Sequence, residues 1–483
     1  MDRLHPRFLI LCLVAVLVGC GKPVTDPVAT LADSKAHSSR HRKSIELLRN
    51  NPERSHSAAT DALQGLVYRP GYADDVRLDG LDILLESDRE RLVRTTRQRL
   101  SRIDDPLWLE TYCEWLGDQD WSDPGEKQSI NEALVSSWGV WWSVWTREED
   151  RPERAALVKI NGEKEVIPLV FEIFKYSNKA SQQGLRNRCW ELLHRLGHRG
   201  ELIDLVEETP PESGNSMMVD LKAAVNDFGT VPYNREEILW LRKLRQPERS
   251  EFWEEARIAV QDVPESRRRN MEIRDLAIVV AAYKHRPELL MISKDALYQQ
   301  VDSATRNLKH HYESEPGMPS DGSRRERLRT HIDKLTWGDL AAISIAMEAL
   351  SHSAIRSHLF DYAERDRKDE GTEYGGIIQL DEQGRFELRE FPPKIRHHDR
   401  RFNASQHMFD AGYTSLYHMH FHAQRHGNSR HAGPGLGDLN YADNTRTNNL
   451  VFTFVDEDTM NVDFYRHDKV IVDLGTINRP GSG

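Results

Sequence analysis

Cysteine is scarce in this chain, which has four cysteines among its 483 residues. Two of them, Cys12 and Cys20, lie in the N-terminal segment. The other two, Cys113 and Cys189, could form one disulfide bond in an oxidising compartment. Both lie in helical patterns with apolar neighbours, which favours two buried thiols over a disulfide bond.

An excess of positive charge is also lacking. The chain has 66 lysines and arginines against 77 aspartates and glutamates, which gives a formal net charge of −11 at pH 7. Nucleic acids and anionic lipid headgroups both repel an acidic protein, so the composition makes either of them a poor candidate partner.

Long apolar runs are few, and the one that stands out covers residues 8–18. It follows a short basic region that contains Arg3 and Arg7. A run of this length is too short for a transmembrane helix with ordinary flanks, and it is typical of a secretory signal.

The residues that close this run, Leu17-Val18-Gly19-Cys20, resemble a bacterial lipobox. The resemblance implies that residues 1–19 are a signal peptide and that Cys20 carries the lipid. The mature protein would then be exported and would contact the membrane by its lipid anchor only. Because Gly21 stands where Asp would signal inner-membrane retention, we favour the outer membrane. An uncleaved anchor or an ordinary signal peptide is the alternative.

Residues 20–44 combine proline and serine with charged side chains and have little apolar surface to bury. Such a composition predicts a flexible tether, which would let a lipid-anchored domain stand off from the membrane.

Residues 45–337 have the composition of an α-helical domain, in which Leu, Ala, Glu and Arg dominate. Apolar residues recur at helical spacing in 185–196, Gly197 follows as a C-cap, and a second helix is predicted at 201–206. This helix pair resembles a HEAT-type repeat. No strict period is present, so a degenerate helical array and a non-repeating helical domain both stay open. For the tryptophans of 108–145 we favour a core position over an aromatic binding surface.

Metal-ligand chemistry is concentrated near the C-terminus. His418, His420 and His422 alternate with bulky apolar residues. If this segment is a β strand, the three imidazoles project from one face, because strand side chains repeat with period two. Two imidazoles and one carboxylate can hold a zinc ion and leave a fourth position for water. Asp438 is the natural third ligand, since it follows a Gly-Pro-Gly turn and opens a predicted helix at 439–447.

A glutamate upstream completes a longer pattern. Glu373 begins the sequence Glu-x-Gly-Gly-x-Ile, between a predicted helix at 353–367 and a predicted strand pair with a turn at 381–384. With the His-x-His and the Pro-x-x-x-Asp that follow, this order resembles the JAMM (JAB/MPN) metallopeptidase family. The resemblance covers residues 338–483, and it implies a small α/β domain.

The same resemblance implies roles for individual residues. Glu373 would be the general base, and His420, His422 and Asp438 would be the zinc ligands. The substrate bond would be a peptide or an isopeptide.

The sequence departs from the family in the loop at 423–432, which is longer than usual and leaves the histidine pair ambiguous. His418 and His420 follow an aromatic residue, as the family's pair often does. His420 and His422 give the shorter path to Asp438, and we favour this pair, with His418 as the alternate ligand.

A second departure concerns a hydroxyl group. In the family a serine just after the proline helps to stabilise the transition state, but here that position is Gly435. Loss of one such donor typically costs a factor of about 10²–10³ in rate. Ser429 is the only serine nearby, and it would need a different loop path. Two rival hypotheses therefore stay open: a non-catalytic envelope lipoprotein whose helical array binds a protein partner, and a module in which the three histidines capture zinc.

The apolar and β-branched segments 449–455, 462–465 and 469–474 predict a meander of three strands. The predicted fold is therefore multidomain: an all-α array at 45–337, possibly HEAT-like, followed by a small α/β JAMM-like domain with a mixed sheet at 338–483. The predicted function is that of an exported zinc-dependent peptidase or isopeptidase, which acts on a cell-envelope peptide or an exported protein.

Overall fold

The computed structural model divides into two compact units, with the boundary between Leu192 and Leu193. The signal peptide and the lipidation predicted at Cys20 lie outside the described residues. The structure describes residues 23–51, 56–140, 142, 144–145, 147–210, 216–311, 326–369, 371–391 and 403–481.

The described part of the first unit is helical. Three of its helices begin with an Asp-Pro pair, in which Asp26, Asp105 or Asp123 accepts a hydrogen bond from a backbone N–H of the first turn. Such caps satisfy N–H groups that have no partner within the helix, and proline at the first position needs none. The helices are α1 (Pro27–Ala32), α2 (Ser38–Arg49), α3 (Ser57–Tyr68), α4 (Asp74–Ser87), α5 (Arg89–Arg99), α6 (Pro106–Asp118), α7 (Pro124–Trp138), α8 (Pro152–Asn161), α9 (Val166–Tyr176) and α10 (Gln183–Arg195), which crosses the boundary.

The structure differs from the flexible tether predicted for residues 20–44, because two of these helices lie in that segment. Over residues 23–44 the chain forms α1 and most of α2. Leu31 of α1 is fully buried, and its carbonyl accepts a hydrogen bond of 2.7 Å from Tyr72. Ile45 and Leu48 bury the inner side of α2. A few well-placed apolar residues therefore dock the segment, although its average composition is polar.

The helices of the first unit stack in pairs along the chain. Alternate helices contact each other, as α2 and α4, α4 and α6, and α6 and α8 do. Side-chain hydrogen bonds join alternate helices at similar intervals: Gln64 binds Thr95, 31 residues on, and Asp82 binds Trp115, 33 residues on. From α2 to α8, each step along the chain thus adds one pair of helices.

Large aromatic and sulfur-containing side chains fill the core of this unit. The core position predicted for tryptophans in this region is confirmed for Trp108, Trp115, Trp121 and Trp138, which are buried. Trp142 and Trp145 follow the end of α7 and are only half-buried. Cys113 and Cys189 are free and fully buried, as predicted, and burial raises the pKa of both thiols well above its usual range.

The second unit contains helices followed by a six-stranded mixed sheet, so the predicted order of a helical region and a C-terminal α/β region is confirmed. Its helices are α11 (Arg199–Glu208), α12 (Ser216–Phe228), α13 (Arg235–Leu244), α14 (Ser250–Ala259), α15 (Glu265–Arg268), α16 (Asp275–His285), α17 (Glu288–Met291), α18 (Lys294–Thr305), α19 (Trp337–Ser351), α20 (Ser353–Lys368), α21 (Gln406–Gly412) and α22 (Leu436–Thr445). Its strands are β1 (Gly375–Leu380), β2 (Phe386–Glu390), β3 (Tyr417–His422), β4 (Asn449–Asp456), β5 (Thr459–Arg466) and β6 (Val470–Asn478).

The strand order is β2-β1-β3-β4-β5-β6. All neighbours are antiparallel except β3 and β4, which are parallel and are joined by a crossover that contains α22. A parallel pair needs such a long connection. The three-strand meander predicted after the histidines is present as β4, β5 and β6.

One face of the sheet is apolar and packs on α19 and α20. The Tyr417 hydroxyl of β3 donates to the carbonyl oxygen of Ala342 at 2.5 Å. Phe421, on the same face, meets Tyr362 edge-on, with ring centroids 5.4 Å apart. The opposite face carries the histidines of β3 and is partly covered by α21 and α22, whose Met408 and Ala442 pack on it.

The helices that precede the sheet in this unit pack against the C-terminal region. The Trp240 indole donates to the carbonyl oxygen of Tyr413 at 2.7 Å, and Arg249 donates to that of Asp410 at 2.9 Å. The predicted domain boundary after residue 337 therefore does not coincide with the division into compact units. Among the described residues, no helix has both the length and the apolar character needed to cross a bilayer.

A buried ion network joins these helices to the sheet. Asp339 of α19 lies 2.7 Å from Arg274 and 2.9 Å from Arg466, and all three side chains are almost fully buried. Burial opposes the charge of Asp339, but the two guanidinium groups hold the pKa of its carboxyl well below the usual range. Glu272 extends the network, 2.8 Å from Arg274 and 2.7 Å from His467.

We expect Asp339→Ala to lower the free energy of unfolding of the second unit by about 3–5 kcal/mol, because it leaves two buried guanidinium groups without their carboxylate. Urea unfolding followed by circular dichroism would measure the effect. Glu254→Ala, which removes an exposed ion pair with Arg257, is the matched control and should leave the unfolding midpoint unchanged. An unaltered unfolding curve for Asp339→Ala would contradict the prediction.

Candidate metal centre

The side chains of β3 lie alternately on the two faces of the sheet. Tyr417, Met419 and Phe421 belong to the apolar face. The histidines at 418, 420 and 422 therefore lie on the opposite face, as the sequence predicted. Because β3 and β4 are parallel, the crossover leaves β3 at its carboxyl end, where His422 lies, and such ends commonly form ligand sites in α/β sheets.

Asp438 comes from the crossover helix α22. The helix begins at Leu436, so Asp438 lies in its first turn and not just before the predicted helix at 439–447. Its Oδ2 accepts a hydrogen bond of 2.8 Å from the backbone N–H of Gly435. This cap fixes the carboxylate at the helix N-terminus, where a negative charge is favoured.

These elements bring His420, His422 and Asp438 together. One ligand atom from each residue lies within 4.8 Å of the other two, and this is the one such group of three histidine, cysteine or acidic side chains among the described residues. Nε2 of His420 is 3.4 Å from Oδ1 of Asp438, and Nε2 of His422 is 3.7 Å from Oδ2. The two imidazole rings are 5.1 Å apart at an angle of 72°.

The hydrogen bond of His422 fits metal binding. Its Nδ1 lies 2.7 Å from the carbonyl oxygen of His431, which can only accept, so Nδ1 carries the proton. In the neutral ring Nε2 is then the lone-pair atom, and Nε2 faces Asp438. A ligating histidine commonly has its tautomer fixed in this way. The donor set of two imidazoles and one carboxylate therefore fits a divalent ion with an open position.

The charges at the site shift the pKa values of its groups. Burial disfavours the imidazolium form of His422, but the carboxylates of Asp438 and Glu373 outweigh it and raise the pKa of His422 to about 9. Burial likewise opposes ionisation of Asp438, but His420 and His422 hold the pKa of its carboxyl far below the usual range. Without a metal, the site is therefore held together as a carboxylate beside a protonated imidazole.

Glu373 reaches the same site through the pairing of β1 with β3. Gly375 pairs with His420, and the backbone N–H of Phe421 donates to the carbonyl oxygen of Tyr374 at 3.2 Å. Glu373 lies two residues before Gly375, and the charge of its carboxylate acts on His422. Glu373 is 6% exposed and lines the same cleft as the three ligands.

His418, the alternate ligand, is not part of the group of three. Its Nδ1 lies 2.7 Å from the hydroxyl oxygen of Tyr441, and a Cβ at Gly412 would clash with its Nε2. Burial lowers the pKa of His418 to about 4, so its ring is neutral at pH 7. The structure thus brings together the favoured pair, His420 and His422, and gives His418 a different set of contacts.

The site opens into a cleft of about 1180 Å³. Gly435 lies at its edge, whereas Ser429, in the short 3₁₀ turn Ser429–His431, does not line it. Sequence reasoning missed three contributors: His431, whose carbonyl fixes His422, and the aromatic walls Tyr441 and Tyr465. The histidine-rich tract could have pointed to His431, but no sequence signal marks the two tyrosines.

The chain was compared with protein-family models, with curated proteins and with solved structures, and none of them matches it.

We expect a distinct pH dependence in metal-free protein. A histidine whose pKa rises from about 6.5 in the unfolded chain to about 9 in the fold stabilises the fold fully below about pH 6.5 and loses this effect as the pH rises through 9. The thermal midpoint of the chelated protein should therefore fall between pH 6.5 and 9, and His422→Gln should flatten this fall. The control is His407→Gln, at an exposed histidine, which should keep the wild-type profile. Equal profiles for His422→Gln and the wild type would contradict the assignment.

Proposed function

We propose that this protein is a zinc-dependent peptidase or isopeptidase of the JAMM type. The observation that carries the proposal is the convergence of His420, His422 and Asp438 with Glu373 in one cleft. The order of the elements also supports it: a helix, then Glu373 before a strand, then the histidine strand, then the aspartate at the start of the crossover helix.

His420, His422 and Asp438 would hold the zinc ion, with His422 oriented by the carbonyl of His431. Zinc, when bound, supplies a Lewis acid and lowers the pKa of water to about 7. The donor set also leaves room for a substrate in the fourth position, as catalytic zinc sites require.

Glu373 would act as the general base. It takes a proton from the attacking water and later delivers the proton to the amine that leaves. Its position supports this role, since it lies just before β1 and lines the same cleft as His420, His422 and Asp438 but is not one of that group of three. The backbone beside it is fixed, because the N–H of Tyr374 donates to Asp366 at 2.9 Å.

The cellular setting is part of the proposal. With a lipid on Cys20, the protein would be exported and anchored to the bacterial membrane, and we favour the outer membrane. The substrate would then be a cell-envelope peptide or an exported protein. The stacked helix pairs of the first unit, which resemble HEAT repeats, would serve as a docking surface for a protein partner, because arrays of this kind offer extended surfaces.

One observation favours a second candidate function. Gly435 has no hydroxyl where the JAMM family has serine, so the domain could keep the metal site without turnover. The protein would then be a non-catalytic envelope lipoprotein that binds a partner through its helices. Against this, a site without turnover has no need for a buried carboxylate beside the ligands, and Glu373 is buried there.

Metal content and peptidase activity together test the proposal, with the chain purified from residue 21 on. The wild type should hold one zinc ion. His420→Ala and Asp438→Ala should lose it, because each removes a ligand. Glu373→Gln should keep the zinc but lose a factor of about 10²–10⁴ in kcat, which is the usual contribution of a general base.

Glu382→Gln, in the exposed turn between β1 and β2, is the matched control and should behave as the wild type. Zinc that is substoichiometric and indifferent to Asp438→Ala would overturn the JAMM-type site. Stoichiometric zinc without turnover of any peptide would favour the non-catalytic candidate.

A further inference from the structure

The proposed reaction leaves one role without a residue. When water attacks a peptide carbonyl, its oxygen gains negative charge, and a hydrogen-bond donor that faces this oxygen accelerates the reaction. Gly435 cannot supply a side-chain donor. The inference that follows rests on the proposed peptidase function and concerns the donor that replaces the missing serine.

Most neutral hydrogen-bond donors along the cleft already form hydrogen bonds with other groups of the protein. The Asn428 amide donates to the carbonyl oxygen of His422 at 3.1 Å and to Gln424 at 2.7 Å. The Asn449 amide donates to the carbonyl oxygen of Thr447 at 2.8 Å. The Tyr441 hydroxyl lies 2.7 Å from Nδ1 of His418.

Tyr465 differs from these residues. Its side chain is 2% exposed, it lines the cleft, and among the described residues no group forms a hydrogen bond with its hydroxyl. The hydroxyl oxygen is not among the fully buried polar atoms that lack a partner, so it is accessible from the cleft. The hydroxyl of Tyr465 is therefore available to a ligand.

The position of Tyr465 follows from the register of the sheet. Tyr465 on β5 pairs with Asn449 on β4, which pairs with His418 on β3, so its side chain is on the face that carries the ligands. Its ring stands perpendicular to that of His420, with centroids 6.3 Å apart. Val451 and Ala442 pack against Tyr465 and hold the ring in place.

We propose that the Tyr465 hydroxyl donates a hydrogen bond to the oxyanion that forms at the substrate carbonyl, and so replaces the serine that Gly435 lacks. The attacking water forms the new C–O bond, the carbonyl electron pair moves to the oxygen, and the proton of water goes to Glu373. The phenol keeps its own proton throughout. Collapse of the oxyanion then breaks the C–N bond, and Glu373 protonates the leaving amine.

The first test is Tyr465→Phe in the full chain, which keeps the ring and removes only the hydroxyl. Zinc content and KM should stay as in the wild type, whereas kcat should fall by a factor of about 10²–10³. Tyr417→Phe, which removes a buried hydroxyl on the opposite face, is the matched control and should keep its kcat.

Two further measurements go beyond loss of activity. A peptide phosphonamidate carries a tetrahedral charged oxygen in place of the carbonyl, and calorimetry should show at least tenfold weaker binding to Tyr465→Phe than to the wild type. Gly435→Ser should rescue kcat in the Tyr465→Phe background. Gly435 has φ −74°, and a Cβ there would meet only Asp438 Oδ2, at 3.6 Å, so serine fits.

The outcomes separate the two proposals. A wild type without zinc or turnover would overturn the peptidase function, and the role of Tyr465 with it. A wild type that turns over while Tyr465→Phe keeps its full kcat and phosphonamidate affinity would overturn the role of Tyr465 alone. If kcat fell in Tyr441→Phe but not in Tyr465→Phe, the donor would be the hydroxyl of Tyr441, and the role of Tyr465 would again be overturned.

Discussion

The alternation of side chains along β3 is the constraint on which the rest of the site depends. Tyr417 and Phe421 pack against α19 and α20, Met419 is buried as well, and this burial leaves the histidines only the opposite face. A slip of one residue would exchange the two sets and would bury imidazoles where the core needs apolar rings. The hydrophobic effect on one face therefore fixes the chemistry on the other.

The neighbours of β3 then bring the remaining groups to the same place. The parallel pairing with β4 requires a crossover, and the first turn of its helix carries Asp438. The antiparallel pairing with β1 brings Glu373, which lies just before β1, into the cleft beside His422. Two strand pairings of opposite sense thus assemble a site from segments that are 65 residues apart in sequence, counted from Glu373 to Asp438.

The sequence predicts those parts of this arrangement that depend on local pattern. Strand β3, the meander β4–β6 and the candidate ligands His420, His422 and Asp438 follow from period-two alternation and turn residues. The helices in residues 23–44 could not be predicted from average composition, since their docking depends on a few buried side chains such as Leu31. Tyr465 also escapes the sequence, because its place beside His420 depends on the register across β4. The pair His467 and Glu272, 195 residues apart, is equally non-local.

The loop that leads to Asp438 shows how closely the ligand depends on its surroundings. Gly433 has φ +87°, and a Cβ there would lie 2.7 Å from Oε1 of Glu326, so another residue would be strained on this path. The backbone N–H of Gly433 donates to Asp463, which pairs across the sheet with Asp473. Burial and the charges of Asp473 and Glu326 raise the pKa of Asp463 well above its usual range, which favours the neutral form of its carboxyl. Burying a neutral acid beside two other carboxyl groups costs less free energy than burying an ionised one. In the neutral form, Asp463 can therefore anchor the loop that presents Asp438 to the histidines.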